Sequence, residues 1–580
     1  MTAFANRLAE AIWAGRYRFQ PAGGAGEPDI DATWARVAHA LAAAEPRDQA
    51  RWERHFADAL ADFRFLPGGR ILAGAGTGRK VTLFNCFVMG ILEDTLDGIF
   101  EALREGALTM QQGGGVGYDF SPLRPRGMAA HASGTVASGP VSFMHVWDAM
   151  CATVQSTGAR RGAMMATLRC NHPDIEAFVA AKREHGALTH FNLSVLVTDG
   201  FLHAVDADLE WPLVFPAEGP GRHMRRAVRA RALWESIVRA AYECAEPGVI
   251  FIDRVRALDN LGYAETIGAT NPCGEIPLPP YGACDLGSLN LTRFVDAPFT
   301  NGARLDVAGL ARTARIAVRM LDNVYEISGF PLARQAEVAR ASRRLGLGIT
   351  GLADALIMLG LRYDSPEARS VAADAMRTVA EHAYAASVDL AAEKGPFPLC
   401  DRERYLAAPF VHALPASLQA DIARHGIRNS HLTAIAPAGT ISLLAGNVSS
   451  GIEPVYALAY ERKIRQPDGS MLGSSVDCYA LSVHDRLRGP EPLSDAFVTV
   501  RDVTPEAQLA MQGALQVHVD NAIAKTVNVP ADIPFSEFAA IFRRANALGL
   551  KGCTIYRPNA VRGAILSPSQ TVERCCDIPV

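Results

Sequence analysis

The chain has 580 residues, of which 49% are hydrophobic and 20% charged, and its formal net charge is −4. These values are typical of a globular protein and exclude the strongly basic surface expected of nucleic-acid or membrane-surface binding. No run of about 18 or more apolar residues occurs. The N-terminal segment carries charges where a signal peptide needs an apolar core. We therefore expect a cytoplasmic protein without nucleic-acid or membrane partners.

In chain order, helical segments come first and an alternation of strands and helices follows. Residues 31–65 are rich in Ala, Leu, Arg and Glu at helical spacing, and Pro67-Gly68-Gly69 ends them. The later predicted strands are 81–89, 189–198, 249–253, 345–350 and 432–436, and the helices between them include 141–154, 307–328 and 366–394. Strands that alternate with helices predict an α/β fold with parallel pairing.

Two glycine-rich stretches resemble ligand-binding loops. Gly346, Gly348 and Gly351 match the dinucleotide pattern GxGxxG, but a helix-like segment, 336–345, stands where that fold needs a strand. We interpret them as a strand–helix junction. The run 113–117 (GGGVG) predicts a tight turn or a close approach of two backbones.

The cysteine pattern argues against disulfides and a structural zinc site, and we expect most of the cysteines to be small buried hydrophobic residues. There are 11 cysteines, an odd number in a chain without a signal peptide, which disfavours a disulfide scaffold. No CxxC and no His/Cys cluster has the spacing of zinc ligands, so we expect no metal site.

The segment Asn271-Pro272-Cys273-Gly274-Glu275, followed by Ile-Pro-Leu-Pro-Pro, is the most informative one. Its prolines and glycine exclude a regular helix or a central strand, so Cys273 is expected on a stiff loop. In an extended loop Asn271, Cys273 and Glu275 would point the same way. They would offer a hydrogen-bonding anchor, a hydrogen-atom acceptor or nucleophile, and a base. A tight turn with a buried cysteine accounts for the same composition.

Four further motifs give this segment a context. They are NCFV around Cys86, CDLGSLNL from Cys284, APAGTIS from Ala436 and SGIEP from Ser450. With these motifs in this order, residues from about 65 to 558 resemble the large catalytic subunit of ribonucleotide reductase. Within that family the chain is most similar to the adenosylcobalamin-dependent (class II) enzymes.

The resemblance implies a fold and a division of the chain. It implies a ten-stranded α/β barrel with a central finger loop over residues 76–558. A short helical N-terminal region, 1–75, would precede the barrel, and a tail without periodicity, 559–580, would follow it.

The resemblance also implies roles for five residues. Cys273 would be the thiyl radical that removes the ribose 3′-hydrogen, and Glu275 the base that takes the 3′-hydroxyl proton. Asn271 would hydrogen-bond the ribose hydroxyls. Cys86 and Cys284 would supply two electrons while the 2′-hydroxyl leaves as water, and would end as a disulfide.

A small-residue loop is the candidate for binding the substrate phosphates. Exposed backbone N–H groups, two hydroxyls and a helix N-terminus suit an anion, although a plain helix cap would have the same composition. The residues are Pro437, Ala438, Gly439, Thr440, Ile441 and Ser442.

Two further sites follow from the resemblance alone. Asp94, Leu96 and Arg124 correspond to positions that hold a specificity effector, a deoxynucleotide or ATP, at a dimer interface; ordinary surface charges are the alternative. Cys575 and Cys576 in the tail would pass electrons from thioredoxin or glutaredoxin to the buried pair.

The segment Lys-Gly-Cys-Thr-Ile-Tyr-Arg that ends at Arg557 indicates the radical source. The oxygen-dependent class uses a tyrosine pair here, whereas this chain has Tyr556 preceded by Ile555. No glycyl-radical motif occurs near the C-terminus. The resemblance therefore implies adenosylcobalamin as the cofactor, although the sequence does not locate its site.

Three alternatives remain at this stage. The chain could be a class I-type large subunit that needs a separate metal-radical subunit, or an inactive nucleotide-binding regulator. An NAD oxidoreductase rests only on the GxGxxG match. We expect a homodimer that reduces ribonucleoside diphosphates.

Overall fold

The computed structural model describes residues 4–129, 136–154, 162–184, 186–216, 224–465, 471–558 and 566–568. Within these ranges no helix is both long and apolar enough to cross a lipid bilayer.

The helices are α1 Arg7–Arg16, α2 Ile30–Ala42, α3 Gln49–Leu60, α4 Gly69–Gly74, α5 Leu96–Gln111, α6 Pro140–Thr153, α7 Ile175–Ala180, α8 Asp199–Asp206, α9 Ala230–Cys244, α10 Ile252–Ala257, α11 Val307–Ile327, α12 Ala333–Ser342, α13 Leu352–Met358, α14 Pro366–Lys394, α15 Arg402–Leu406, α16 Pro409–His412, α17 Ala416–His425, α18 Gly439–Leu444, α19 Tyr479–Arg488, α20 Pro505–Gln516 and α21 Phe535–Ala547, with 3-10 helices at Ala61–Phe63 and Leu291–Phe294.

The strands are short and spread over the whole chain. They are β1 Phe65–Pro67, β2 Cys86–Val88, β3 Gly115–Asp119, β4 Met164–Arg169, β5 Phe191–Val197, β6 Glu210–Phe215, β7 Met224–Arg229, β8 Gly248–Phe251, β9 Ala269–Thr270, β10 Pro277–Leu278, β11 Ala283–Asn290, β12 Val295–Asp296, β13 Arg304–Leu305, β14 Leu345–Thr350, β15 Ala459–Arg465, β16 Met471–Asp477, β17 Thr526–Asn528, β18 Gly552–Tyr556 and β19 Leu566–Pro568.

The main sheet has ten strands, in the order β1-β11-β2-β3-β4-β5-β8-β18-β17, with β14 also paired to β11. Strands β2, β3, β4, β5 and β8 are parallel to their neighbours in this set. A second set contains the parallel pairs β11–β14 and β17–β18. Antiparallel pairs join the two sets at β2–β11 and at β8–β18.

Isolated backbone bridges connect the two ends of the strand order, β14 and the segment before β17. Leu347 pairs with Thr433, and Ile435 pairs with Ile523, which lies just before β17. The predicted strand 432–436 is therefore present only as two bridged residues, yet it links β14 to the strand at the far end. Hydrogen-bonded pairing thus runs all the way round, which is the arrangement of a barrel.

A buried carboxylate ties the N-terminal helices to the rest of the fold. Glu45, just after α2, accepts hydrogen bonds from Arg319 at 2.9 Å and Asn323 at 2.7 Å, both on α11. Lys394 at the end of α14 donates to the same carboxylate at 3.2 Å. Because a buried charge is costly without partners, this contact fixes how the helical region meets the barrel.

A hairpin formed by β9 and β10 lies inside the barrel, and glycines make room for it. A Cβ atom on Gly117 of β3 would stand 1.9 Å from the Thr270 carbonyl oxygen. Side chains of the hairpin also come within 3.1 Å of the Cβ positions of Gly115 and Gly346. The close approach predicted for the run 113–117 is therefore confirmed, and β3 is one wall of the space that holds the hairpin.

The sequence predicted the fold class correctly. The α/β architecture, the ten-stranded sheet and the preceding helices are confirmed. The predicted helix 366–394 and strand 345–350 have the observed limits, whereas the strand predicted at 81–89 is only β2. The GxGxxG segment runs from β14 through Gly351 into α13, which confirms the strand–helix junction.

The contact at Gly117 can be tested by substitution. Gly117→Ala should displace Thr270 or distort β3, because the added methyl group meets backbone rather than a movable side chain. We expect a loss of about 1–3 kcal/mol in the free energy of unfolding, measured by denaturant titration. Gly200→Ala on α8 is the control, since no atom of the described residues outside its own helix backbone lies within 4 Å of its Cβ position. Equal stability of the two variants would contradict this packing.

Candidate active site

The tip of the hairpin presents Cys273. The strands below it pair antiparallel, with Pro277 opposite Thr270. The chain reverses through a turn in which Gly274 has a φ of +85° and donates its N–H to the Asn271 carbonyl oxygen at 3.1 Å. The five residues thus form a turn rather than the extended loop considered from sequence. Cys273 is exposed, whereas Asn271 and Glu275 are buried.

Asn271 joins the hairpin to the barrel wall. Its Nδ2 donates to Sγ of Cys86 at 3.2 Å, and its Oδ1 accepts from the Ile276 N–H at 3.0 Å. The carbonyl of Glu275 accepts from the Ala522 N–H at 2.9 Å. The hairpin is therefore held on two sides, next to β2 and next to the segment before β17.

Cys86 and Cys284 lie opposite each other. β2 and β11 pair antiparallel with Cys284 in register with Cys86, and both side chains are buried thiols. Directly opposite Cβ atoms lie about 4.5–5.5 Å apart in such pairs, and a disulfide needs about 3.5–4.5 Å. A small local movement therefore suffices to join the two sulfurs.

The Cys284 thiol is protonated near neutral pH. Burial raises the pKa of this thiol well above its usual range, and the charge of Arg344 opposes that rise. A buried thiol in this state can give up a proton or a hydrogen atom. It is not a nucleophile in this state, because the nucleophilic form of cysteine is the thiolate.

A cavity of about 1470 Å³ opens over the hairpin tip, and Cys273, Gly274 and Pro437 are among its lining residues. It exceeds the roughly 300–1,000 Å³ of most small-molecule sites. Among the described residues, and apart from the adjoining backbone, no atom lies within 4 Å of the Cβ positions of Gly274 or Gly439. The cysteine tip and Pro437, the first residue of the 437–442 loop, thus border the same cavity.

The 437–442 loop leads into α18. Ala438 has a φ of +39° and precedes Gly439, the first residue of the helix. The Ser442 hydroxyl is buried and hydrogen-bonds Thr350 Oγ1 at 3.0 Å, so it faces away from the cavity. Thr440 and the first backbone N–H groups of the helix, which have no acceptor within it, are the donors that remain for an anion.

The SGIEP motif anchors a lysine that motif analysis did not single out. Glu453 accepts from the Thr526 N–H at 2.8 Å and forms an ion pair with Lys525. Lys525 also donates to Gln508 Oε1 at 3.0 Å. Glu453 and Lys525 line the cavity. No pattern around Lys525 in the sequence marks it, because only the fold brings it beside Glu453.

The structure brings the candidate effector residues together. Arg124 Nε lies 2.6 Å from Asp94 Oδ2, and its Nη2 donates to the Asp94 carbonyl at 2.9 Å. Leu96 begins α5 next to them and is 65% exposed. The tail residues Cys575 and Cys576 lie outside the described residues.

The fold and these contacts define a class of protein. It is an α/β barrel that encloses a hairpin with an exposed cysteine, and two facing thiols lie in its wall beside a buried amide. Such an arrangement is suited to thiol redox chemistry on a substrate held over the tip.

Comparison with known proteins agrees with this class. Residues 84–556 match the family described as "Ribonucleotide reductase, barrel domain", and residues 3–80 match "Ribonucleotide reductase, all-alpha domain". The vitamin B12-dependent ribonucleoside-diphosphate reductase of Mycobacterium tuberculosis is 39% identical over 92% of this chain and 76% of its own length. The protein of that name from Thermoplasma acidophilum is 34% identical over 88% of this chain and 66% of its own length.

A more distant relative carries a different name. The ribonucleoside-diphosphate reductase subunit alpha of Chlamydia pneumoniae is 27% identical over 73% of this chain and 45% of its own length. The chain belongs to the ribonucleotide reductase family. The resemblance inferred from its motifs is thereby confirmed.

The register of β2 and β11 predicts the product of mild oxidation. A thiol oxidant should link Cys86 to Cys284, because the observed register places these two thiols opposite each other. Peptide mapping by mass spectrometry checks the link, and Cys86→Ser serves as the control that leaves Cys284 as a thiol. A dominant link from Cys284 to a different cysteine would contradict the register.

Proposed function

We propose that this chain is the catalytic chain of an adenosylcobalamin-dependent ribonucleotide reductase that converts ribonucleoside diphosphates to 2′-deoxyribonucleotides. The observation that carries the proposal is the convergence of three thiols, Asn271 and Glu275 on one hairpin and the strands around it. The relatives with 34–39% identity are named vitamin B12-dependent ribonucleoside-diphosphate reductases, which supports both the cofactor and the diphosphate.

The hairpin residues would act on the ribose. Cys273, exposed at the tip, would remove the 3′-hydrogen as a thiyl radical. Glu275, two residues away, would accept the 3′-hydroxyl proton. Asn271 would hydrogen-bond the ribose hydroxyls while it keeps Cys86 in place.

Cys86 and Cys284 would supply the electrons. A radical at C3′ weakens the bond between C2′ and its oxygen, so a nearby thiol acid can release the 2′-hydroxyl as water. The raised pKa of Cys284 keeps that proton available at neutral pH. The facing strands then allow the pair to end as a disulfide.

The phosphates would bind at residues 437–442. Pro437 at the start of the loop lines the same cavity as Cys273, and a helix N-terminus attracts anions. Of the candidate residues, Gly439, Thr440 and Ile441 would donate, while Ser442 supports the loop through Thr350.

We propose that the cavity is also the site of the cofactor. Its volume exceeds that of a typical single-ligand site, and its wall brings together the hydroxyls of Ser194 and Thr554 around Gly248, whose Cβ position is 3.3 and 3.0 Å from them. We assign these residues of β5, β8 and β18 to hold adenosylcobalamin. When bound, adenosylcobalamin supplies the radical that starts the reaction through homolysis of its cobalt–carbon bond.

We propose a second copy of the chain, a nucleotide effector and a thiol reductant as partners. Ile91, Leu96 and Phe100 are 69%, 65% and 51% exposed, and the last two lie one turn apart on α5. A second copy of the chain would cover them, with a deoxynucleotide or ATP effector beside Asp94 and Arg124. We further propose that Cys575 and Cys576 exchange electrons with thioredoxin or glutaredoxin in the cytoplasm, the compartment where such thiols stay reduced.

The role of Cys273 can be tested directly. Cys273→Ser should abolish deoxynucleotide formation, because a hydroxyl does not readily form the required radical. Nucleotide binding, measured by equilibrium dialysis, should stay near the wild-type value. Substantial product from this variant would contradict the assignment.

The choice of radical source is a separate test. The chain alone, with adenosylcobalamin and a dithiol, should turn over without oxygen. Tyr556→Phe should keep most of the rate, since Ile555 interrupts any tyrosine pair. If the chain is inactive with adenosylcobalamin but gains activity from a separate metal-radical subunit, the class I-type alternative holds.

A further inference from the structure

Arg344 is a buried cation inside the barrel, next to the cysteine pair. The parallel register pairs Asp285 with Leu345, which puts the preceding residues, Cys284 and Arg344, opposite each other. Gly346, two residues on, has its Cβ position 3.1 Å from the hairpin side chain of Ile276. Because alternate residues of a strand face the same side, Arg344 points to the hairpin side, as Cys284 does.

The contacts of Arg344 connect the hairpin stem to the barrel. Its Nη1 donates to the Pro277 carbonyl oxygen at 3.3 Å and to Asn521 Oδ1 at 3.4 Å. Its Nη2 forms an ion pair with Glu265 and lies 3.9 Å from Asp259 Oδ1. The guanidinium is thus held in one place by the stem and by two carboxylates.

Several other ionisable groups surround Arg344. Burial raises the pKa of Glu265, and the charge of Arg344 opposes that rise. Burial also raises the pKa of Asp285, the neighbour of Cys284, well above its usual range. The other ionisable groups that interact with Arg344 are Asp259, His431, Asp520 and Lys551.

The proposed reaction places negative charge on the two sulfurs. One thiol gives its proton to the 2′-hydroxyl, the C2′–O bond breaks, water leaves, and that thiol becomes a thiolate. The other thiol gives a hydrogen atom to C2′, after which the two sulfurs share one negative charge and one unpaired electron. That electron then passes to the C3′ ketone, a proton returns from Glu275, and the sulfurs remain as a disulfide. Cys273 then returns its hydrogen atom to the radical at C3′ and becomes a thiyl radical again.

We propose that Arg344 is the counter-charge of the Cys86–Cys284 pair and stabilises the negative charge that these sulfurs carry during reduction. The inference rests on the proposed function. Arg344 acts on the substrate only through the pair, so it is a positioning residue. An anion in a buried site is costly without an opposite charge nearby. Arg344 directly precedes β14, the register extended by one residue puts it opposite Cys284, and its charge acts on that thiol.

The test separates charge from hydrogen bonding. Removal of Arg344 alone would leave Glu265 buried without its partner, which destabilises a fold more than removal of both. The variants are therefore R344Q/E265Q, which keeps a donor but no charge, and R344K/E265Q, which keeps the charge. E265Q is the reference, and circular dichroism and thermal melting check the fold. If R344Q/E265Q does not fold, R344Q and R344K are compared in the same way.

Single-turnover rates, KM and products are measured with adenosylcobalamin and each ribonucleoside diphosphate. We expect R344Q/E265Q to reduce the ribonucleotide about tenfold more slowly than E265Q, with an unchanged KM. Loss of a nearby opposite charge typically disfavours an anion by about one pKa unit, which is a factor of about ten. The ketone intermediate should persist and lose its base, so free base should rise relative to deoxynucleotide. R344K/E265Q should recover most of the rate and the normal products.

Two outcomes would overturn the inference. One is a R344Q/E265Q variant with the rate and products of E265Q. The other is an equal loss in the Gln and Lys variants without released base, which would make Arg344 only a clamp on the hairpin. Failure of the wild-type chain to form any deoxynucleotide would instead reject the proposed function.

Discussion

The structure depends on a hairpin that is enclosed by a barrel. Its backbone runs so close to the wall that a Cβ atom on Gly117 would collide with Thr270, and packed interiors have no spare volume to absorb such a contact. The same packing holds Cys273 at a defined point, exposed over the cavity, while the residues below it are buried. The glycines of the wall therefore leave the room that the hairpin occupies, and the prolines of the hairpin keep it stiff within that room.

A polar hairpin inside a barrel must also satisfy its hydrogen bonds. An unpaired buried polar group costs about 1–3 kcal/mol, and several contacts satisfy polar groups of the hairpin. Asn271 bonds Cys86 and the Ile276 backbone, and the Pro277 carbonyl accepts from Arg344. The groups that hold the hairpin are thus the groups that surround the cysteine pair, so support of the fold and the proposed chemistry share residues.

The sequence predicted the participants better than their geometry. The motif around Cys273 indicated a stiff loop, and the structure has a turn in which Asn271 and Glu275 are buried rather than aligned with the cysteine. Ser442 was grouped with the phosphate donors, yet its hydroxyl bonds Thr350. Arg344 stands in no motif that signals chemistry, because its importance comes from a neighbour on another strand.

Composition, hydrophobic periodicity and motif order by themselves determined the α/β class, the helical start of the chain and the family. These properties are local, since a proline, a glycine or a capping residue acts within a few positions of itself. Only the tertiary structure decided that Cys86 faces Cys284 and that Arg344 lies beside them. The register of paired strands depends on how the whole sheet closes, and residues far apart in sequence carry no local signal of which strand will become their neighbour.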